Sequence, residues 1–143
     1  MKTSVTELPF NRFLRIEPAS DPNQVLRLPA GADYLNHLGT VHASAQLALA
    51  EASSGEFLLR ALGADAGVVP VVRRLEAKFR KPANGALTST VKTPPEAIDQ
   101  LRADLEAKGR AMVGVDVELH DESGAHTLSA TIEWFITRIP AGA

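Results

Sequence analysis

The run Thr40-Val41-His42-Ala43-Ser44-Ala45-Gln46-Leu47-Ala48-Leu49-Ala50-Glu51-Ala52-Ser53-Ser54-Gly55 decides how this chain is read. From Val41 to Gly55 it is apolar or small on every side of a helix, with Ala at 43, 45, 48, 50 and 52. A helix without a polar face is a buried helix. So many alanines also imply that other backbone packs close to it. Thr40 is the expected N-cap and Gly63 the expected terminator, giving a helix from about Val41 to Leu62.

Most of what surrounds this helix alternates with period two. In Ala111–His120 the odd positions are Ala, Val, Val, Val and Leu. In Thr127–Arg138 the apolar set is Leu128, Ala130, Ile132, Trp134 and Ile136. Asp121-Glu122-Ser123-Gly124 between them is a hairpin turn. A third strand is expected over Val71–Lys81, with Val71, Leu75, Ala77 and Phe79 on one face and Arg73 interrupting it. Pro82-Ala83-Asn84-Gly85 turns it into a fourth, Ala86–Thr93. Weaker strands are expected near Phe13–Pro18 and Gln24–Leu28. Pro95–Lys108 is an amphipathic surface helix with Ile98, Leu101 and Leu105 on one stripe, closed by Gly109. Half-buried alternation means a mostly antiparallel sheet with one face covered. The expectation is an α+β domain over residues 1–143: an antiparallel sheet wrapped around one long central helix, plus one extra surface helix.

Composition narrows the function classes. Fifteen Lys and Arg against seventeen Asp and Glu give a net charge of −2, which disfavours a nucleic-acid or membrane-surface protein. Cysteine is absent, which removes disulfides, thiolate nucleophiles and Cys-based metal sites. The longest stretch without Asp, Glu, Lys or Arg, Tyr34–Ala50, is shorter than the ~20 apolar residues of a membrane span. Met1–Glu7 has no apolar core for a signal peptide. The expectation is a cytoplasmic protein.

Glu51 is the one formally charged residue within Val41–Gly55. A carboxylate taken out of water needs compensation. It is either a structural group, capping backbone or paired with an Arg, or a general base or nucleophile. The helix start reads Asn36-His37-Leu38-Gly39-Thr40-Val41-His42-Ala43-Ser44. Backbone N–H groups at a helix N-terminus lack intrahelical partners and carry positive dipole character, so they suit an oxyanion. His37 has no further support.

The pattern Asn36-x5-His42-Ala43-x7-Glu51, with Leu-Ala-Glu-Ala around the acid, resembles the hot-dog-fold acyl-CoA thioesterases. The phenylacetate-degradation and 4-hydroxybenzoyl-CoA types and uncharacterised thioesterase-like domains are the nearest in pattern. Phe79-Arg80-Lys81-Pro82-Ala83-Asn84-Gly85 is similar to the segment that follows the central helix in that family, and the resemblance spans about Leu8 to Thr137. It implies that Glu51 attacks the thioester carbonyl or activates water. The Ala43 N–H would then be the oxyanion donor, Asn36 the group that polarises the carbonyl or orients water, and His42 a positioning residue. It implies an acyl-CoA substrate, no cofactor and no metal. Lys78, Arg80 and Lys81 are candidate contacts for coenzyme A phosphates, although for any one of them a solvated strand face is the simpler reading. Ser54 is grouped with the coenzyme contacts. The family often has His-Gly-Gly where this chain has His42-Ala43-Ser44. Some members place a Thr one turn after the acid, where this chain has Gly55 beside Ser53 and Ser54.

Ala43 and Glu51 are eight residues apart, about 12 Å along a helix. An attacking group and an oxyanion donor must both reach one carbonyl, within about 3–3.5 Å. One straight helix cannot do this, but two antiparallel central helices in a two-fold dimer can. A homodimer or dimer of dimers (homotetramer) is therefore expected. The alternatives are a non-catalytic hot-dog module that holds acyl-CoA and, less favoured, a hot-dog dehydratase or hydratase. Other signals fail. His37-x4-His42 lacks metal-ligand spacing. His120 and His126 flank a hairpin turn, but two histidines alone make a poor site. No G-x-S-x-G, Walker loop or dinucleotide motif is found.

Overall fold

The computed structural model describes residues 4–63 and 66–140. A short helix α1 (Pro9–Phe13) leads into β1 (Glu17–Pro18) and β2 (Leu26–Leu28). The long helix α2 (Ala43–Leu62) follows, then β3 (Val68–Phe79), β4 (Leu87–Val91), α3 (Pro95–Lys108), β5 (Arg110–Asp121) and β6 (His126–Arg138). The six strands form one antiparallel sheet in the order β1-β2-β4-β5-β6-β3.

The alternation seen in the sequence is the burial pattern of the hairpin. Val113, Val115, Val117 and Leu119 of β5 are buried with Leu128, Ile132, Trp134 and Ile136 of β6. They pack with Leu49, Ala50, Ala52 and Leu58 of α2. Ala50 and Ala52, almost fully buried, let the sheet approach the helix closely. The buried Ser53 hydroxyl donates to Leu49 O at 2.7 Å and bonds Ser89 Oγ of β4 at 2.7 Å, so its polarity is satisfied inside the core. The stripe Ile98, Leu101 and Leu105 of α3 is buried as expected, and Gly109 ends that helix in the left-handed conformation at φ 71°.

Three local expectations are corrected. Phe13–Pro18 is not a strand. Pro9 has its φ preset for the first helical turn and needs no N–H there, so Pro9–Phe13 is helical and only Glu17–Pro18 pairs. The N-cap of α2 is His42, not Thr40: the His42 Nδ1 accepts from Ser44 N at 2.9 Å. In β3 a bulge lies between Val72 and Arg74 and reverses the faces. Val71 stands opposite Phe135 on the outer face, while Leu75 stands opposite Ile132 on the helix side.

α2 is only half covered within one chain. Ala45, Leu49, Ala52 and Leu58 are buried, Ala43 and Ser44 are exposed, and Leu47, Ala48, Glu51 and Gly55 are half-buried. β3 pairs with β6 alone and borders the sheet. It carries exposed apolar side chains on both faces, Val71 at 53% and Phe79 at 47%.

Candidate active site

The loop before α2 is tied by Asn36. Its Oδ1 accepts from Leu38 N at 2.9 Å and Thr40 N at 3.1 Å, and its Nδ2 donates to Thr40 Oγ1 at 3.0 Å. An amide NH2 has two protons, so one Nδ2–H is left over by these bonds. Val41 N donates to Ala83 O at 2.9 Å, which pins the start of α2 to the loop after β3. Between these segments lies a concavity of about 340 Å³, lined by Asn36, Ala43, Gln46, Arg80 and Lys81 among others. Ala43 is the first residue of α2, so its N–H has no intrahelical acceptor. The helix N-terminus adds positive character at this concavity.

Glu51 lies just over two turns further along α2. Among the described residues its carboxylate has no hydrogen-bond or ion-pair partner, and burial pushes its pKa above the ordinary value of 4.5. Glu56 on the same helix is more deeply buried, at 4% exposure, yet fully partnered. It accepts from Val5 N at 2.9 Å, Ser4 Oγ at 3.1 Å and Arg60 Nε at 3.0 Å.

The structure brings Asn36, Ala43, Arg80 and Lys81 to one concavity and leaves the other candidates elsewhere. The Nδ1 of His42 is consumed by its capping bond, and its side chain borders a different concavity with Tyr34, Ser44 and Ala48. Lys78 borders a groove on the outer sheet face with Glu76, Asp116 and Glu118. Ser54 is not with the basic residues: it is fully buried, donates to Glu51 O at 2.7 Å and accepts from Trp134 Nε1 at 2.9 Å. Gly55, one turn after Glu51, lines a mainly apolar cavity of about 370 Å³ with Val5, Leu58, Leu62, Val68 and Trp134.

Gln46 was not singled out by sequence reasoning. It is buried at 4% exposure, its Nε2 donates weakly to Val41 O at 3.4 Å, and its Oε1 has no partner among the described residues. The available signal was an uncharged polar side chain inside an otherwise apolar helical run. On the sheet face away from α2, Glu118, His120 and His126 have metal-ligating spacing, with their ligand atoms within 4.8 Å of one another.

A long helix held against a six-stranded antiparallel sheet is the hot-dog fold, and the solved structures it is similar to are thioesterase-like proteins of that fold. The chain belongs to the family described as Domain of unknown function (DUF4442), which matches residues 12–136. A solved protein of unknown function from Pseudomonas aeruginosa, described as a probable thioesterase, is 27% identical with a TM-score of 0.79. That match covers 94% of this chain and 91% of the other. A Bacillus halodurans protein solved with CoA is 21% identical with a TM-score of 0.68, covering 89% and 74% of the two chains. A hypothetical thioesterase from Streptococcus pneumoniae, solved with coenzyme A, is 15% identical with a TM-score of 0.58, covering 86% of each. No protein of curated function matches the chain. No helix among the described residues is long and apolar enough to cross a membrane.

Proposed function

We propose that this chain hydrolyses an acyl-CoA thioester in a site completed by a second copy of itself. The observation that carries this reading is Glu51, a half-buried carboxylate with raised pKa and no partner among the described residues, on the same helix as the free Ala43 N–H. The similarity to a probable thioesterase and the coenzyme A held by two of the similar structures support the substrate class. Ala43 and Glu51 are about 12 Å apart along α2, so the acid that serves one Ala43 comes from the other chain. The long edge strand β3, with Val71 and Phe79 exposed, and the half-covered side of α2 supply the surface for that second copy. An uncovered apolar edge strand of this length is otherwise an aggregation hazard.

In this reading Glu51 takes a proton from water as the oxygen adds to the thioester carbonyl carbon. The Ala43 N–H holds the developing oxyanion, and the remaining Asn36 Nδ2–H assists it. Collapse breaks the C–S bond. Glu51 returns its proton to the leaving thiolate, giving free coenzyme A and the carboxylic acid. Arg80 and Lys81, at the rim of the same concavity, meet coenzyme phosphates. The acyl group occupies the apolar cavity beside Gly55.

One observation favours a binding module without turnover. Gly55 has no hydroxyl, and the Ser53 and Ser54 hydroxyls are both committed to other groups. Neither serine supplies the water-holding hydroxyl that a Thr at position 55 gives. The deciding experiment measures free thiol over a panel of aliphatic and aryl acyl-CoAs with wild-type and Glu51→Gln chains. Hydrolysis predicts release by the wild type and at least a hundredfold less by the variant, in the range of general-base catalysis. Ligand-dependent thermal stabilisation with no thiol release from any member would establish the binding module instead.

A further inference from the structure

We infer that Glu118, His120 and His126 form a zinc site on the outer face of the sheet, separate from the concavity at the start of α2. Glu118 and His120 are two apart on β5, so both point away from the buried Val117 and Leu119. The register shift after Leu119 sets His120 directly opposite His126, leaving Thr127 as the extra residue. The two imidazoles stack with centroids 4.9 Å apart and planes 19° from parallel. One ligand atom from each of the three side chains lies within 4.8 Å of the other two, and all three residues are half-buried.

Tetrahedral zinc, with bonds of about 2.0–2.2 Å, holds its ligand atoms roughly 3.3 Å apart. Small side-chain rotations close the difference. The ligand chemistry suits the ion: two imidazoles and one carboxylate leave a fourth position for water. The surroundings set the tautomer. His126 Nε2 lies 3.0 Å from Leu128 O, and a carbonyl only accepts, so Nε2 carries the proton and Nδ1 keeps its lone pair. A backbone carbonyl holding the other ring nitrogen is the usual outer support of a metal-bound histidine. Ser129 Oγ also lies 3.0 Å from Nε2 and accepts from Arg80 Nε at 2.8 Å. Lys92 and Lys78 border the neighbouring groove together with Glu76 and Asp116, so the local charge is mixed rather than cationic.

The test is calorimetric titration of the dialysed, tag-free chain with zinc chloride, alongside His120→Ala, His126→Ala, Glu118→Gln and His37→Ala. The site predicts one zinc per chain. Affinity should fall at least tenfold in each of the first three variants and stay unchanged in His37→Ala. Should a variant fail to fold, cobalt(II) on the wild-type chain gives a second readout: intense visible bands of tetrahedral cobalt are expected. No saturable zinc binding, affinity that survives loss of both histidines, or only the weak spectrum of six-coordinate cobalt would each overturn the site.

Discussion

Two carboxylates on α2, Glu51 and Glu56, sit less than two turns apart and do opposite things. Glu56 is the deeper, yet it accepts two bonds from the Ser4–Val5 segment and one from Arg60. Its partners offset the cost of its burial, and it fastens the N-terminal turn to the helix. Glu51 is less buried and has no partner among the described residues, so its pKa rises for lack of compensation. Burial alone therefore does not mark a functional acid. What sets Glu51 apart is burial without a partner among the described residues, one turn before Gly55, which lines an apolar cavity.

Exchanging each acid for its amide should separate the two roles. Glu51→Gln is expected to lower kcat by about 10²–10⁴-fold, the usual span of a general base. Its melting temperature should be unchanged or raised, because the amide removes an uncompensated charge. Glu56→Gln should lose charge-assisted bonds at a cost of about 1–3 kcal/mol and melt several degrees lower while keeping most of its activity. Thiol-release assays and thermal melts on both variants check this, and equal loss of activity would erase the contrast.

The pH dependence sharpens it. A raised Glu51 pKa means that the base form appears only as pH rises past the ordinary glutamate value. The acid limb of kcat/KM should therefore sit above 4.5 in the wild type and stay there in Glu56→Gln. Stability carries the same sign. A group whose pKa is raised by folding favours the fold at low pH and loses that contribution as pH rises through the folded pKa. The melting advantage of Glu51→Gln should thus appear near neutral pH and vanish in acid.

Smaller effects separate the two ends of the proposed substrate. Arg80→Ala and Lys81→Ala should raise KM for acyl-CoA a few-fold with little change in kcat, an effect that shrinks with salt. Lys78→Ala, on the outer sheet face, should leave KM alone. At the other end, a Cβ on Gly55 would meet Trp134 at 3.5 Å and Val5 Cγ1 at 3.6 Å, ordinary contact distances. Gly55→Ala should stabilise the helix by up to about 1 kcal/mol and raise KM for the bulkiest acyl groups first.

Much of this was legible in the sequence, and the exceptions have physical causes. The uncharged run around Glu51 and the alternation of β5 and β6 gave the helix and sheet, because burial acts on every residue of such segments. The faces of β3 were not legible. The extra residue at Arg73 reverses parity without changing composition, so Val71 was grouped with Leu75 although they face opposite ways. Pro9–Phe13 escaped because its helix is five residues long and has no periodic stripe. Glu51 stands out as the one charge in its run, and the roles of Asn36 and Ala43 are what the resemblance to the thioesterase family implies. Glu118 beside His120 and His126 depended on cross-strand register, and Gln46 on which side of α2 the sheet covers. The register is invisible in a linear pattern, and the run shows Gln46 only as one polar residue among apolar ones, not which way it faces.

The central claim is that Glu51 of one chain serves the Ala43 N–H of another, and subunit complementation tests it most directly. Ala43→Pro deletes that N–H at a position where proline fits, because the first helical N–H is unused and His42 already has the extended ψ of 141° that a following proline requires. Ala43→Pro and Glu51→Gln homodimers should each be nearly inactive. Mixed under subunit exchange, each heterodimer carries one site with both lesions and one intact site. With equal amounts and random pairing, activity should recover to about a quarter of wild type. Heterodimers verified by native mass spectrometry that stay as inactive as their parents would contradict the shared site.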